Sequence, residues 1–220
     1  MDVNGSIVDA VNARRCDSSE PGLAEGLERA ADLSATTDMA AAVAEARLIF
    51  ILVPTPNSGG RDYYNHSILA NVLFKLNTLR LRDKHVVISA TVIPGFIRGT
   101  GRYLLRDCVN TTLSYNPAFV AQGDIMVGYR TGGWFRLVLV GCENEEAGDL
   151  LTAVYEKIAP PDVCVWQGVA VCGSVCVCVS VCVCVCARAR ERMCACLAVC
   201  ENTAVAVAGA GALAASVECV

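Results

Sequence analysis

The residues best placed to do chemistry in this sequence are one carboxylate and two hydroxyls, each at the end of an extended run. Asp2, in MDVN, stands where the tail of a strand gives way to a helix beginning near Ser6. In a dinucleotide-binding fold an acid at this place accepts hydrogen bonds from the ribose hydroxyls, because two carboxylate oxygens match a vicinal diol. Thr55 lies between two prolines in LIFILVPTP (Leu48 to Pro56). Those prolines stop the strand and remove amide donors, which displays the hydroxyl at the strand's carboxyl edge, where ligands of open α/β sheets bind. Thr91, in HVVISATVIPG (His85 to Gly95), holds the corresponding place on the next strand, with Pro94 and Gly95 turning the chain away. Plainer uses exist for all three. Asp2 suits an exposed acid capping the helix after it, Pro54, Thr55 and Pro56 suit a rigid turn, and Thr91 suits a strand by its β-branch.

Short apolar runs separated by helical stretches must position these residues. Strands are predicted over Arg47 to Val53, His85 to Val92, Thr111 to Tyr115 and Phe135 to Gly141, and helices over Ser6 to Ala13, Leu23 to Ala31, Asp38 to Ala46, His66 to Thr78, Ile97 to Asp107 and Glu145 to Lys157. Continuous apolar strands in this rhythm predict an α/β fold with right-handed crossovers and a parallel sheet buried on both faces.

A net charge of −4, with no basic run and no interleaving of aromatic and basic residues, gives a nucleic-acid backbone little to hold, so no nucleic-acid partner is expected. Of 14 cysteines only Cys16, Cys108 and Cys142 precede residue 160, the sparse usage of a reducing cytoplasmic protein. His66 and His85 have no ligand spacing around them and predict no metal site. No secretory signal is read at Met1, since Asp2 and Asn4 stand where a basic and an apolar stretch would be needed.

Composition shifts at Pro160 and Pro161. Residues 1–160 are expected to form the α/β domain, and residues 161–220 a low-complexity Cys/Val/Ala-rich tail that is not a native domain. Alternating Cys and Val is what a TG repeat encodes, and alternating Ala and Arg what a GC repeat encodes, so this tail reads as translated repeat DNA. The run from Val163 to Ala187 is long enough to cross a bilayer, but Gln167, Gly173, two serines and its many β-branched residues argue against insertion. Its C-x-C alternation lacks the C-x-x-C pairing of a structural zinc site. GAGALA (Gly209 to Ala214) matches a dinucleotide fingerprint of the kind that an Ala/Gly/Val-rich tail produces by chance.

Read in order, DVN (Asp2 to Asn4), EPGL (Glu20 to Leu23), LSATTD (Leu33 to Asp38), the VPTP strand end, HVVISATVIPG, LSYNPAFVAQGD (Leu113 to Asp124) and LVLVG (Leu137 to Gly141) resemble the NAD-binding domain of the UDP-glucose/GDP-mannose dehydrogenase family. The resemblance implies a Rossmann-like doubly wound sheet of order 3-2-1-4-5-6 with NAD as cofactor. It implies a nucleotide-sugar substrate whose primary alcohol is oxidised to an acid through an aldehyde held on a cysteine. Asp2, Thr55, Thr91 and Gln122 would lie on the cofactor, with Thr91 as the catalytic threonine holding the nicotinamide half or an ordered water. Asn116, Phe119 and Gln122 would lie on the sugar side.

Departures from the pattern are as informative. The family places glutamate directly after Asn-Pro and often another four residues later, where this chain has Ala118 and Gln122. Ala118 cannot accept, donate or move a proton. A basic residue is common five positions after the ribose acid, where Ile7 stands. The glycine-rich fingerprint is expected roughly 20 residues before that acid, upstream of Met1, so the sheet is expected to lack its first, central strand. None of the cysteines stands in the family's G-x-C-F-P-K context. The family's homo-oligomerisation region is likewise expected to be absent, and the fragment is expected to be inactive.

Overall fold

His85, Val86, Val87 and Ile88 are all buried, and a strand buried at every position needs cover on both faces. The computed structural model, which describes residues 1–57, 59, 64–118, 123, 125, 137–158, 164–169 and 181–183, supplies that cover as three layers. In the middle is a sheet of β1 (Leu48–Ile51), β2 (His85–Ile88), β3 (Thr112–Tyr115), β4 (Leu137–Cys142), β5 (Cys164–Val169) and β6 (Val181–Val183), ordered as in the chain. One face packs Val86, Ile88 and Leu113 against Leu69, Leu73 and Leu76 of α4 (Ser67–Thr78). The opposite face packs Val87, Val138 and Val140 against Ala147, Leu151 and Tyr155 of α6 (Glu145–Ile158). The spacing of Leu69, Leu73 and Leu76 makes one apolar stripe. Each such leucine, fully withdrawn from water, contributes on the order of 1.5–3 kcal/mol.

The helix starts are written in polar residues. Asn4 accepts Ser6 N–H at 3.0 Å to open α1 (Gly5–Asn12). Asp38 accepts the Ala40 and Ala41 amides at 2.8 and 3.2 Å to open α3 (Met39–Ala44), and Asn144 accepts Ala147 N–H at 2.9 Å at the head of α6. Each satisfies amides that a first helical turn leaves without partners. Gly22, with φ 76°, precedes α2 (Leu23–Arg29), a left-handed turn that glycine adopts without steric cost.

Parallel pairing holds for β1 with β2, β2 with β3 and β4 with β5. The all-parallel expectation needs correction at β4, which meets β3 antiparallel through Tyr115 and Gly141. An apolar run such as FRLVLVG has the same composition whichever way it runs, so periodicity carries no direction. The predicted helix from Ile97 to Asp107 is also different. Residues Ile97–Gly101 make a wide π turn, and only α5 (Arg102–Leu104) is α-helical. Gly101 explains the turn: its N–H reaches back to Phe96 O at 2.8 Å, and a Cβ there would meet Leu113 Cδ2 at 2.7 Å. The strands end earlier than their apolar runs, since the chains leaving β1 and β3 run into Pro54 and Pro117, which lack the amide for another rung. MDVN forms no strand; Asp2 N–H bonds Thr36 O at 3.2 Å, and Asn4 O accepts the Ile7 and Val8 amides of the helix that follows.

Among the described residues no strand pairs with the outer side of β1, where the family order places its first strand. Beyond Pro161, Cys164–Val169 continues the sheet beside β4 for six residues.

Candidate dinucleotide site at the carboxyl edge

Because β1 and β2 run parallel with Ile51 opposite Ile88, the segments that follow them leave the sheet on the same edge. Thr55 is half-buried four residues past Ile51, and Thr91 is exposed three residues past Ile88. Ser89 N–H still bonds Ile51 O at 3.0 Å, and Asn116 N–H bonds Ile88 O at 2.9 Å, so the ladder holds the three segments together as they emerge.

Backbone and side-chain contacts then lock the emerging loops. Pro56 O accepts Asn65 N–H at 2.9 Å, closing the loop after β1 onto the start of α4. His66, at that start, lies against Phe96 with ring centroids 4.6 Å apart, tying this loop to the one after β2. Gly95, with φ 84°, makes the turn that swings Phe96 into place. The Tyr115 phenol, at the end of β3, is held by the Val92 backbone. Burial pushes its pKa up, the Val92 bond pulls it down, and nearby Tyr64 adds to the rise, so the phenol stays neutral and available for hydrogen bonding. Thr91 therefore stands on a loop anchored before it by the Ser89 amide and after it through Val92 and Phe96.

Asn116 is 1% exposed. Its Nδ2 donates to Leu139 O at 2.8 Å and its Oδ1 accepts from the Tyr155 hydroxyl, which joins the end of β3 to β4 and α6. Asp2 is placed separately. It is half-buried, linked to Thr36 rather than to the sheet, and its Oδ1 accepts Asn4 N–H at 2.8 Å. The helix-cap role goes to Asn4. A carboxylate has further acceptor capacity, so the same group can still meet a ribose diol. The structure thus gathers Thr55, Thr91 and Asn116 on one edge, leaves Asp2 outside that ladder, and does not describe Phe119 and Gln122. Glu20, within EPGL, carried no role in the sequence reading; its carboxylate accepts the Gly123 and Ile125 amides. Only the motif itself, an acid before Pro-Gly, signalled it.

The sequence profile of the UDP-glucose/GDP-mannose dehydrogenase family, NAD binding domain, matches residues 1–159. The chain belongs to this family. Its curated relatives include GDP-mannose 6-dehydrogenase of Pseudomonas aeruginosa, 27% identical over 173 residues that cover 73% of this chain and 39% of the relative. The Azotobacter vinelandii enzyme of the same name is 24% identical over 184 residues, 78% of this chain and 41% of its own. The chain therefore spans about two fifths of the relatives it matches. Among solved structures, a ternary complex of the P. aeruginosa GDP-mannose dehydrogenase shares the fold with TM-score 0.66 at 24% identity, covering 77% of this chain and 40% of that one. A UDP-glucose dehydrogenase from Pyrobaculum islandicum gives TM-score 0.62 at 26% identity, covering 72% and 38%.

As a member of this family the matched region is an NAD-binding domain, and the residues present fit part of that cofactor. Thr55 and Thr91 offer hydroxyls on the edge where open α/β sheets hold ligands, and Asp2 retains an acceptor for a ribose. Among the described residues no group of three His, Cys, Asp or Glu could hold a metal ion, and no helix is long and apolar enough to cross a membrane. Most of the apolar run from residue 163 to 187 lies outside the described residues; within it 164–169 and 181–183 are strands.

Proposed function

We propose that this chain is the NAD-binding portion of a nucleotide-sugar 6-dehydrogenase of the UDP-glucose/GDP-mannose type, acting on a CH–OH group in the cytoplasm. The observation that carries the reading is the placement of Thr55 and Thr91 past the ends of two adjacent parallel strands. NAD, when bound, supplies the hydride acceptor. Thr55 and Asp2 hold it from the side of the cofactor, and Thr91 holds the nicotinamide half or a water beside the reacting carbon. By the family resemblance Phe119 and Gln122 are assigned to the sugar side, and Gln122 to the cofactor as well. Cys16 and Cys108 form no disulfide, which suits a reducing compartment.

On its own the 220-residue chain binds NAD without turnover. Ala118 replaces a carboxylate that the family pattern carries, and no cysteine stands in the family's nucleophile context. Ala118 also favours a second reading, a degenerate dinucleotide-binding module with no catalytic parent. Titrating the purified chain with NAD, and then adding GDP-mannose or UDP-glucose while following absorbance at the NADH band, tests the proposal. Saturable NAD binding with no NADH is the expected result. Absence of NAD binding sinks the cofactor assignment, and NADH production sinks the claim of inactivity. Restoring glutamate by Ala118→Glu within a full-length parent separates the two readings, since only a catalytic parent gains rate.

A further inference from the structure

Asn65 and His66 divide the work at the head of α4. Asn65 Oδ1 accepts the Ser67 N–H at 2.9 Å, which caps the helix. The His66 side chain makes no cap bond, and its ring lies on Phe96 instead, with centroids 4.6 Å apart and planes inclined by 38°. Nε2 spends no hydrogen bond in that contact, since it is buried without a partner among the described residues.

Phe96 is the fixed member of the pair. It is 5% exposed, in the core shared with α4, and its carbonyl accepts the Gly101 N–H at 2.8 Å. His66 is the half-buried member, and Asn65 beside it donates its N–H to Pro56 O at 2.9 Å. Pro56 directly follows Thr55. A proline ring locks its own φ and confines the residue before it to extended backbone, so a carbonyl held at Pro56 passes its orientation back to Thr55.

We infer that His66 is a positioning residue: by seating the head of α4 on Phe96, it sets Thr55 at the carboxyl edge from the turn that follows β2. The inference rests on the assignment of Thr55 to the cofactor. It gives the loops that carry Thr55 and Thr91 one common reference, because Phe96 also ends the second of them. A hydroxyl held in advance has less conformational entropy to lose when a ligand arrives.

NAD titration of the purified 220-residue chain, with Thr55→Val and His66→Ala made singly and together, tests this, and urea unfolding is followed for each protein. Thr55→Val should weaken NAD about tenfold. His66→Ala should weaken it about fivefold, as for the loss of one aromatic contact. In the Thr55→Val background the same change should cost less than about twofold, since a residue acting through Thr55 then has nothing left to position. Any effect of His66→Ala on unfolding should by contrast be equal in the two backgrounds, so a purely structural contact shows additivity in both measurements. His66→Phe should stay within about twofold of wild type, because it keeps the ring and Nε2 has no bond to lose. His66→Gln, polar but without a ring, should repeat the alanine loss and replaces that variant if alanine prevents folding.

Unchanged NAD affinity in the ringless variants overturns the inference. So do losses that add in full in the double variant, which mark a general stability role or a direct contact with the cofactor, and so does a phenylalanine variant as weak as alanine. A wild type that fails to bind NAD, or a Thr55→Val protein that binds it as wild type does, strikes the cofactor reading and the inference with it; the other contrary outcomes strike His66 alone.

Discussion

The two ends of the same three strands are built to different rules. At their amino ends polar side chains are spent on one another. His85 Nδ1 and Thr112 Oγ1 are 2.8 Å apart, Arg47 pairs with Glu146, and Glu143 accepts Leu113 N–H at 2.9 Å while pairing with Arg102 at 3.1 Å. Arg102 in turn donates to Thr111 O at 2.8 Å, and Lys84 to Ala44 O at 2.7 Å. At the carboxyl ends Thr91 is exposed, Thr55 is half-buried, and Leu52 and Ile93 are 61% and 45% exposed. Polar side-chain pairing is concentrated at the amino end, while the carboxyl end keeps apolar surface and hydroxyls open.

Asn116 is the exception at the carboxyl end, and one of the two largest effects is expected there. Asn116→Ala strips the buried Leu139 carbonyl of its Nδ2 donor and removes the acceptor that Asn116 gives the Tyr155 hydroxyl, and should cost about 2 kcal/mol in urea unfolding; a loss below about 1 kcal/mol would remove its bridging role. At the amino end Glu143→Ala strips the Leu113 amide of its acceptor and should cost about 2 kcal/mol, with NAD affinity unchanged. Thr91→Val should do the reverse. Its stability should move by less than about 0.5 kcal/mol, as for other exposed sites, while NAD affinity falls about tenfold; equal losses in both measurements would erase the contrast between the ends. Arg47→Ala, at an exposed ion pair, should cost less than about 1 kcal/mol and respond to salt.

The smallest effect is a pH slope. Burial raises the Cys108 pKa and a bond from the Leu81 backbone opposes it, with Asp107 raising and Arg102 lowering it further. Raised in the folded state, the thiol contributes stability that is fully present below the ordinary thiol range and is lost as pH climbs through the folded value. Denaturant midpoints should therefore drift down above about pH 9, and Cys108→Ala should flatten that drift.

Much of this was legible in the residues. The Leu69, Leu73 and Leu76 stripe announced α4, the unbroken apolar run from His85 announced a strand covered on both faces, and Pro54 marked where β1 would stop. The direction of β4 was not legible, because strand polarity follows from how the chain returns rather than from which side chains it carries. Nor was the widened turn at Gly101, which depends on contact with Leu113 on a strand not yet formed. The sequence marked Thr55 and Thr91 as strand-end residues, and they do lie just past β1 and β2. It did not mark the bonds of Glu20, since two backbone amides more than a hundred residues away leave no pattern in composition.

Strand order running with chain order from β1 to β6 bears on how the molecule is made. Each new strand needs only to dock beside its immediate predecessor, so loop closures stay short and the sheet can extend as the polypeptide leaves the ribosome. The Glu20 bridge must wait until the whole stretch to Ile125 has emerged, which makes it a late event in assembly, added to a scaffold already standing.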